Sequence, residues 1–348
     1  MGNPASIHAA GRAARRVLED ARATVGRVVG AAPSEIVFCS GGTEANAAAI
    51  AALSPGRAVL IGATEHDAVR AAAPGATIVP VHRDGTLNLA ALGAALAAAG
   101  PALVCLMLAN NETGVLHPIA EAASLCRAHG ARLHVDAVQA AGRIPVDMAV
   151  LGADTLALSA HKLGGPKGAG ALVLAPGLHL PALIAGGGQE RGRRGGTPAL
   201  PAIAGFAAAI AATGEAARLA PLRDRLEHAA CAAGAIVCGT GPRLPNTSCL
   251  VLPGIPAHVQ VITLDLAGIA VSAGAACSSG RITESRVLIA MGLAELATSA
   301  IRVSLPWNAT EADVDAFGEA YRAMATKQDR VERHRRMPRC RPAQSSVS

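Results

Sequence analysis

Ser159-Ala160-His161-Lys162-Leu163-Gly164-Gly165-Pro166-Lys167-Gly168 is the stretch whose reading decides the fold. The chain has only three lysines, Lys162, Lys167 and Lys327, and two of them fall in these ten residues. A strand-like run, Asp154 to Leu158, precedes the stretch, and another, Ala169 to Leu174, follows it, so it reads as a glycine-rich turn between two buried elements. Lysine is favoured over arginine where an amine must lose its proton and attack a carbonyl, because its pKa falls on burial whereas guanidinium stays charged. The sharper expectation is that Lys162 forms a Schiff base with pyridoxal phosphate. The stretch alone equally allows both lysines to be exposed loop residues.

Working outward, 348 residues suffice for one large and one small lobe. Hydrophobic residues make up 51%, yet only five are aromatic, so the core must be aliphatic and alanine-rich. The formal net charge is +6, but residues 327–348 hold seven Lys or Arg against two acids. The body is therefore near neutrality and is no nucleic-acid binder by charge; only the tail has a balance that suits RNA or an acidic partner. The eight cysteines form no CxxC pair, which indicates neither a zinc site nor a disulfide framework and suits a reducing, cytoplasmic compartment. The apolar run 90–109 is divided by Gly100-Pro101 and reads as helix, turn and buried strand, with no membrane span expected. The N-terminus has no apolar secretory core.

Residues 8–29 have the apolar stripe of a helix, and Glu35 to Cys39 reads as a strand. Ser40-Gly41-Gly42-Thr43 then opens a helix over 44–53, an arrangement in which free N–H groups and the positive helix end can hold an anion. A strand at 59–61 ends near Thr64-Glu65-His66-Asp67. The strand 103–108 runs into Asn110-Asn111-Glu112-Thr113-Gly114, and 132–136 into Ala137-Val138-Gln139, with a helix near 119–129 between them. This alternation predicts an open, mostly parallel α/β sheet covered on both faces, whose ligand site lies at the strands' carboxyl ends. Thr43, His66, Asn111, Asp136, Gln139 and Lys162 all fall at or just past such ends. The chemistry of pyridoxal phosphate has a use for these types: a carboxylate keeps the ring nitrogen protonated, a helix N-terminus holds the phosphate, and lysine joins the aldehyde.

The basic, glycine-rich run Gly186 to Thr197 reads by itself as a flexible solvated loop. An alanine-rich helix over 199–218 leads to a second lobe, about 219–325, with shorter strands at 235–237, 248–252 and 301–304 in an α+β pattern. Cys277 lies in Ser272 to Gly280 among Gly, Ala and Ser, neighbours that suit a reachable thiol better than a core one. Arg302 is a charge inside an apolar strand; either a substrate carboxylate or a structural salt bridge would satisfy it.

Taken in order, these motifs resemble the cysteine desulfurases of the group I, NifS/IscS-like type, within the class V aminotransferases of the fold-type I pyridoxal-phosphate enzymes. The matching runs are Ser40 to Asn46, Glu65-His66, Asn110 to Glu112, His134 to Gln139, Ser159 to Gly170, Gly186 to Thr197, Ser272 to Gly280 and Ile301 to Ser304. The resemblance implies a large domain over 1–218 with a seven-stranded, mostly parallel sheet and a small domain over 219–325, whereas the basic run 326–348, unlike the family, reads by its composition as a solvated, disordered tail. It implies that Lys162 holds the cofactor, Asp136 pairs with the ring nitrogen, His66 stacks on the ring, and Gln139 and Asn111 contact its oxygen and the substrate. Gly42, Thr43, Ser159 and His161 would bind the phosphate, with Thr197 reaching in from the partner of a homodimer. Arg302 would fix the carboxylate of L-cysteine. Cys277 would take the sulfur as a persulfide for an acceptor or iron-sulfur scaffold protein, with transient iron-sulfur ligation a further role, and L-alanine would leave.

Three departures accompany the resemblance. The family usually begins with a strand bearing an Asp-Asn-Ala-Ala-Thr-Thr-like motif, whereas Met1 is followed here by Gly2-Asn3-Pro4; Gly42 stands where alanine is usual; and Pro306-Trp307 replaces the usual Gly-Arg. Two alternatives stand beside the desulfurase at this point: a selenocysteine lyase or other class V lyase or aminotransferase, and a catalytically weak homologue acting as a binding or regulatory dimer.

Overall fold

The computed structural model describes residues 2–214, 216–274 and 284–336, with side chains as far as Lys327. The first part of the chain contributes α1 (Ala9–Val28), β1 (Ile36–Cys39), α2 (Gly42–Leu53), β2 (Ala58–Gly62), α3 (Asp67–Ala72), β3 (Thr77–Val79), α4 (Leu89–Ala99), β4 (Ala102–Met107), α5 (Ile119–Ala128), β5 (Arg132–Asp136), α6 (Met148–Leu151), β6 (Thr155–Ser159), β7 (Gly170–Leu174) and α7 (Leu200–Ala211). The rest contributes α8 (Leu219–Ala232), β8 (Ile236–Cys238), β9 (Thr247–Val251), α9 (Ala257–Leu266), β10 (Ser272–Ala273), α10 (Arg286–Ala290), β11 (Ala300–Ser304) and α11 (Glu311–Arg336).

Seven strands form one sheet in the order β1-β7-β6-β5-β4-β2-β3. The run from β3 through β2, β4 and β5 to β6 is parallel, while β7 is antiparallel to both β6 and β1. The open, mostly parallel α/β sheet expected from the alternation is thus present, with the seven strands that the resemblance implies. The period of two explains its burial: Ile36 and Phe38 face the core under α1, α4, α5 and α7, while Val37 faces α2 on the other side. In β4, Val104 and Leu106 join the first layer, and Leu103 and Cys105 pack with Ile50 and Leu53 of α2. With both faces covered, β4, β6 and β7 are buried at every position, as near-continuous apolar runs should be.

The second sheet, β10-β11-β9-β8, is antiparallel. Its core joins Leu250, Ile301 and Val303 to Phe317 and Tyr321 of α11 and Leu226 of α8. The segment after β4 is stitched to this unit: Leu116 N donates to Pro242 O and Leu244 N to Gly114 O. Among the described residues no single helix is long and apolar enough to cross a membrane.

Two differences from the sequence reading stand out. Helix α11 continues to Arg336, ten residues past the point where an unstructured tail was expected. Its Gln, Arg, Glu and Lys are good helix formers, and the first proline after it is Pro338, so the charge run propagates a helix already nucleated on the core. The helix expected over 199–218 instead stops at Ala211, and the chain turns before α8 begins at Leu219.

Candidate active site

The β6–β7 connection that carries Lys162 closes an antiparallel pair, with Ser159 opposite Gly170. Leu163 N and Gly165 N both donate to Ala160 O, which bends the backbone sharply just past β6. That bend separates the two lysines of the turn: Lys162 is half-buried and Lys167 exposed. A β-carbon at Gly170 would lie 2.6 Å from Gly41 Cα, so glycine there lets the β1–α2 turn close onto the strand pair that presents Lys162. At Gly42 an added β-carbon would lie 2.6 Å from Val138 Cγ2. Glycine at the first turn of α2 therefore leaves room for the bulk of Val138.

Around this point opens a cavity of about 200 Å³ at the carboxyl ends of β4, β5 and β6. It is lined by Gly42, Thr43, Asn46, His66, Ala68, Met107, Ala109, Asn111, Asp136, Val138, Gln139, Ser159, His161, Lys162 and Arg302. All the sequence-predicted site residues line it except two. Thr197, on the Gly186–Thr197 loop, does not; Cys277 lies outside the described residues.

Asp136 is buried at the end of β5, and its carboxylate accepts from Val138 N at 2.9 Å and Asn46 Nδ2 at 2.7 Å. Burial pushes its pKa up, against the pull of those two donors and of the His66 and Lys162 charges. Behind it, Asn46 Oδ1 lies 2.8 Å from His134 Nε2, and His134 Nδ1 lies 2.8 Å from Thr155 Oγ1. Asn46 spends its NH₂ on Asp136, so its carbonyl oxygen must accept; His134 is then the Nε2–H tautomer and accepts the Thr155 hydroxyl. Burial holds His134 neutral, with its pKa down at about 4. Asn46 and His134 lay inside quoted motifs but had been given no role.

Arg143 was also missed. It donates at 2.6 Å to Gln139 O and at 2.6 Å to Lys162 O, clamping the backbone at two site positions, and burial followed by the Arg302 charge brings its pKa down to about 10. His66 caps α3, its Nδ1 accepting from Ala68 N at 3.0 Å. His161 Nδ1 lies 3.0 Å from Ser159 Oγ, and its pKa is lowered by partial burial and then by Lys162 and Lys167.

Arg302 donates to Asn111 O and to Ser272 Oγ, each at 3.1 Å, while its buried Nε has no partner. Among the described residues no salt bridge involves Arg302. A guanidinium with a carbonyl and a hydroxyl but no bonded carboxylate retains charge and a donor for an anionic ligand. The structural salt bridge weighed from sequence is thus not what satisfies it.

The Gly186–Thr197 loop is largely exposed but pinned to the body at Glu190 and Arg194. Glu190, at φ 50, forms a paired contact with Arg22 at 2.7 and 2.8 Å and accepts from Phe38 N at 2.9 Å. Arg194 pairs with Glu44 of α2 at 2.8 Å.

The aminotransferase class-V family model matches residues 1–317. The chain belongs to that family. Its members are pyridoxal-phosphate enzymes. The chain is 45% identical to a cysteine desulfurase of Cereibacter sphaeroides over 338 residues, covering 92% of this chain and 87% of the relative. It is 38% identical to an IscS-like cysteine desulfurase of Mycobacterium tuberculosis, covering 91% and 87%. Among solved structures, a NifS-like protein from Rickettsia africae superimposes with TM-score 0.86 at 34% identity, over 93% of this chain and 92% of that one. SspA, solved in complex with cysteine, superimposes with TM-score 0.75 at 27% identity, over 88% and 91%.

The residues present fit the family's cofactor. No side chain caps the N-terminus of α2, which leaves its first N–H groups, with the Thr43 and Ser159 hydroxyls, to an anionic ester. Asp136 is a buried carboxylate with a supporting hydrogen-bond chain, and Lys162 is an amine on the same cavity.

Proposed function

We propose that the protein is a cysteine desulfurase that removes sulfur from L-cysteine, leaving L-alanine and a persulfide on Cys277. The observation that carries this reading is the cavity in which Lys162, Asp136, His66 and an arginine without a bonded carboxylate, Arg302, converge. The resemblance to named cysteine desulfurases over most of both chains supports it.

Thr43, Gly42, Ser159 and His161 would hold the phosphate of pyridoxal phosphate, Asp136 its ring nitrogen, His66 its ring face, Asn111 and Gln139 its oxygen, and Lys162 its aldehyde carbon. When bound, that group withdraws electrons from the substrate's Cα. Arg302 anchors the substrate carboxylate through its fork, and Asn111, whose backbone carbonyl accepts from Arg302, lines the same cavity. The Lys162 amine takes the Cα proton and returns a proton as alanine forms. Cys277, as thiolate, attacks the substrate sulfur: the carbon–sulfur bond breaks and a sulfur–sulfur bond forms. The bulk of the chemistry sits in the seven-stranded unit, 1–218, with the unit from 219 supplying Arg302 and Cys277.

The reading includes a homodimer in which Thr197 completes the partner's phosphate site; Leu183 and Ile184, half-exposed beside the pinned loop, are the apolar surface that supports it. The reading includes a reducing, cytoplasmic location, which suits eight cysteines that form no CxxC pair. A sulfur-acceptor or iron-sulfur scaffold protein is the partner the chemistry requires.

The test is direct. Purified protein supplied with pyridoxal phosphate develops the visible absorbance of a lysine-bound cofactor, abolished by Lys162→Ala. It releases sulfide from L-cysteine with reductant, and mass spectrometry finds one added sulfur atom on the Cys277 peptide. A colourless protein, or unchanged sulfur abstraction in Cys277→Ser, refutes the assignment.

A further inference from the structure

Glu65 has no part in the reaction as described above, yet it immediately precedes His66 and is buried at 5% exposure in the turn between β2 and α3. Its Oε1 accepts from Met107 N at 2.7 Å, and its buried Oε2 has no hydrogen-bond partner among the described residues. An ionised carboxylate is too costly in such a place. Burial pushes the Glu65 pKa well above the usual carboxylate range, against the pull of the Met107 N–H and with the Asp136 charge in support. Glu65 is therefore a neutral acid whose work is to accept one backbone hydrogen bond.

That bond takes the place of a strand. β2 pairs with β4 as far as Ile61 opposite Cys105, and the chain then leaves the sheet toward α3. Met107 closes β4 two residues beyond that last pair, and its N–H meets the Glu65 side chain instead of a β2 carbonyl. On its other side Met107 stands opposite Asp136 of β5, and Leu108 N donates to Asp136 O at 2.9 Å. A second tie joins the same two turns. Asn110 Nδ2 donates to Thr64 O at 3.3 Å, while Asn110 Oδ1 accepts from Glu112 N and Thr113 N, each at 2.9 Å. Residues 64 and 65 are thus fastened to the exit of β4, and His66 follows directly, held at the start of α3 by its bond from Ala68 N. His66, Met107 and Asp136 all line the cavity.

We propose that Glu65 is a positioning residue for His66: by bonding the end of β4 beside Asp136, it sets the separation between the histidine that would face the cofactor ring and the carboxylate that would meet the ring nitrogen. The role rests on the desulfurase reading for its effect on rate, whereas the bond it invokes joins Glu65 to Met107 directly. It also accounts for a carboxyl group where no charge is tolerated, since what position 65 supplies is an acceptor that reaches Met107 N.

The experiment uses the full chain with pyridoxal phosphate, as wild type, Glu65→Ala, Glu65→Gln, His66→Ala and the double variant Glu65→Ala/His66→Ala. The first readout needs no turnover: the visible circular dichroism band of the bound cofactor and its dissociation constant. The second is kcat and KM for sulfide release from L-cysteine. Leaving Met107 N without its acceptor is expected to weaken cofactor binding and to lower kcat by about tenfold each, with KM within about twofold because Arg302 keeps its partners. Glu65→Gln, which offers Met107 N an acceptor of the same reach and adds no charge, stays within about twofold in every readout. In the His66→Ala background, Glu65→Ala changes the band and the dissociation constant by less than about twofold, because the side chain it aligns is gone. If Glu65→Ala does not fold, Glu65→Asp, whose acceptor stops one methylene short, takes its place in the same comparisons. A band, dissociation constant and kcat unchanged in Glu65→Ala overturn the proposal. So does Glu65→Gln as impaired as Glu65→Ala, or a Glu65→Ala defect that adds in full to that of His66→Ala, as a role in folding alone would. A wild type that binds the cofactor but releases no sulfide refutes the desulfurase reading instead, and the band across the variants still decides whether Glu65 aligns His66; a wild type with no band overturns both.

Discussion

Replacing Glu190 by alanine probes the contact that holds the glycine-arginine loop to the body of the protein. The Arg22 and Glu190 side chains are 4% and 2% exposed, and their two parallel hydrogen bonds are 2.7 and 2.8 Å long. Phe38 N loses its acceptor as well, and it is a buried backbone donor of β1. Burial pulls the Arg22 pKa down while the Glu190 hydrogen bonds and charge more than reverse it, so guanidinium stays charged and would be stranded. Removing one partner of a buried pair costs about 3–5 kcal/mol. Glu19, half-exposed at 3.3 Å from Arg22 Nε, and Ile36 O remain as partners, which places the expected loss near the lower end, about 3 kcal/mol. Alanine does not relieve the left-handed backbone at position 190, so no compensating gain follows. For a chain of this size the melting temperature should fall by roughly 4 °C, read by calorimetry on the cofactor-free protein. The double variant Arg22→Met/Glu190→Met, which strands no charge, should recover most of the loss. A shift under about 1 °C for Glu190→Ala, or a double variant as unstable as the single one, would refute the claim that this pair pins the loop.

Three other outcomes are expected. The folded pKa of His134, about 4 against an ordinary 6.5, means that the folded state refuses a proton the unfolded chain accepts; the stability this contributes is present above pH 6.5 and is lost as pH falls toward 4. His134→Gln should therefore remove about 2 kcal/mol of the stability change between pH 7 and pH 5, measured as the difference in urea unfolding from wild type at the two pH values; parallel curves would deny that the histidine is buried neutral. Arg143→Met frees the carbonyls of Gln139 and Lys162, and pyridoxal phosphate should dissociate about tenfold more readily by absorbance titration, whereas an unchanged dissociation constant would make the clamp incidental. Arg302→Lys keeps the charge but loses the fork, so KM for L-cysteine should rise about tenfold or more with a smaller change in kcat; an unaltered KM would remove the arginine from carboxylate binding.

The large sheet and the cavity were legible in the sequence for the same reason. A parallel strand buried on both faces reads as an apolar run, and the polar residues that follow it mark where the chain leaves the sheet, so Thr43, His66, Asn111, Asp136 and Lys162 announced themselves by position. Short elements held by their neighbours did not: β3 has three residues and β10 two, too few for a period to show. The support behind the site was hidden by distance, since the bond from His134 to Asn46 spans 88 positions and nothing local distinguishes that histidine from a core residue.

Glu190 and Glu112 show the limit most clearly. Each sits in a run whose glycines, arginines or asparagines suggest a solvated turn, and each is buried because its partner arrives from an element distant in sequence: Arg22 from α1, Ser285 from the start of α10. Composition tells how such a segment behaves alone, and alone both would be loops. What converts them is a single charge whose burial is tolerable only when bonded on every side. The order Glu190 imposes extends along its own loop, on which Thr197 lies seven residues further. The residues that line the cavity could thus be read from strand ends, whereas carboxylates such as Glu190 become visible only when they find their partners.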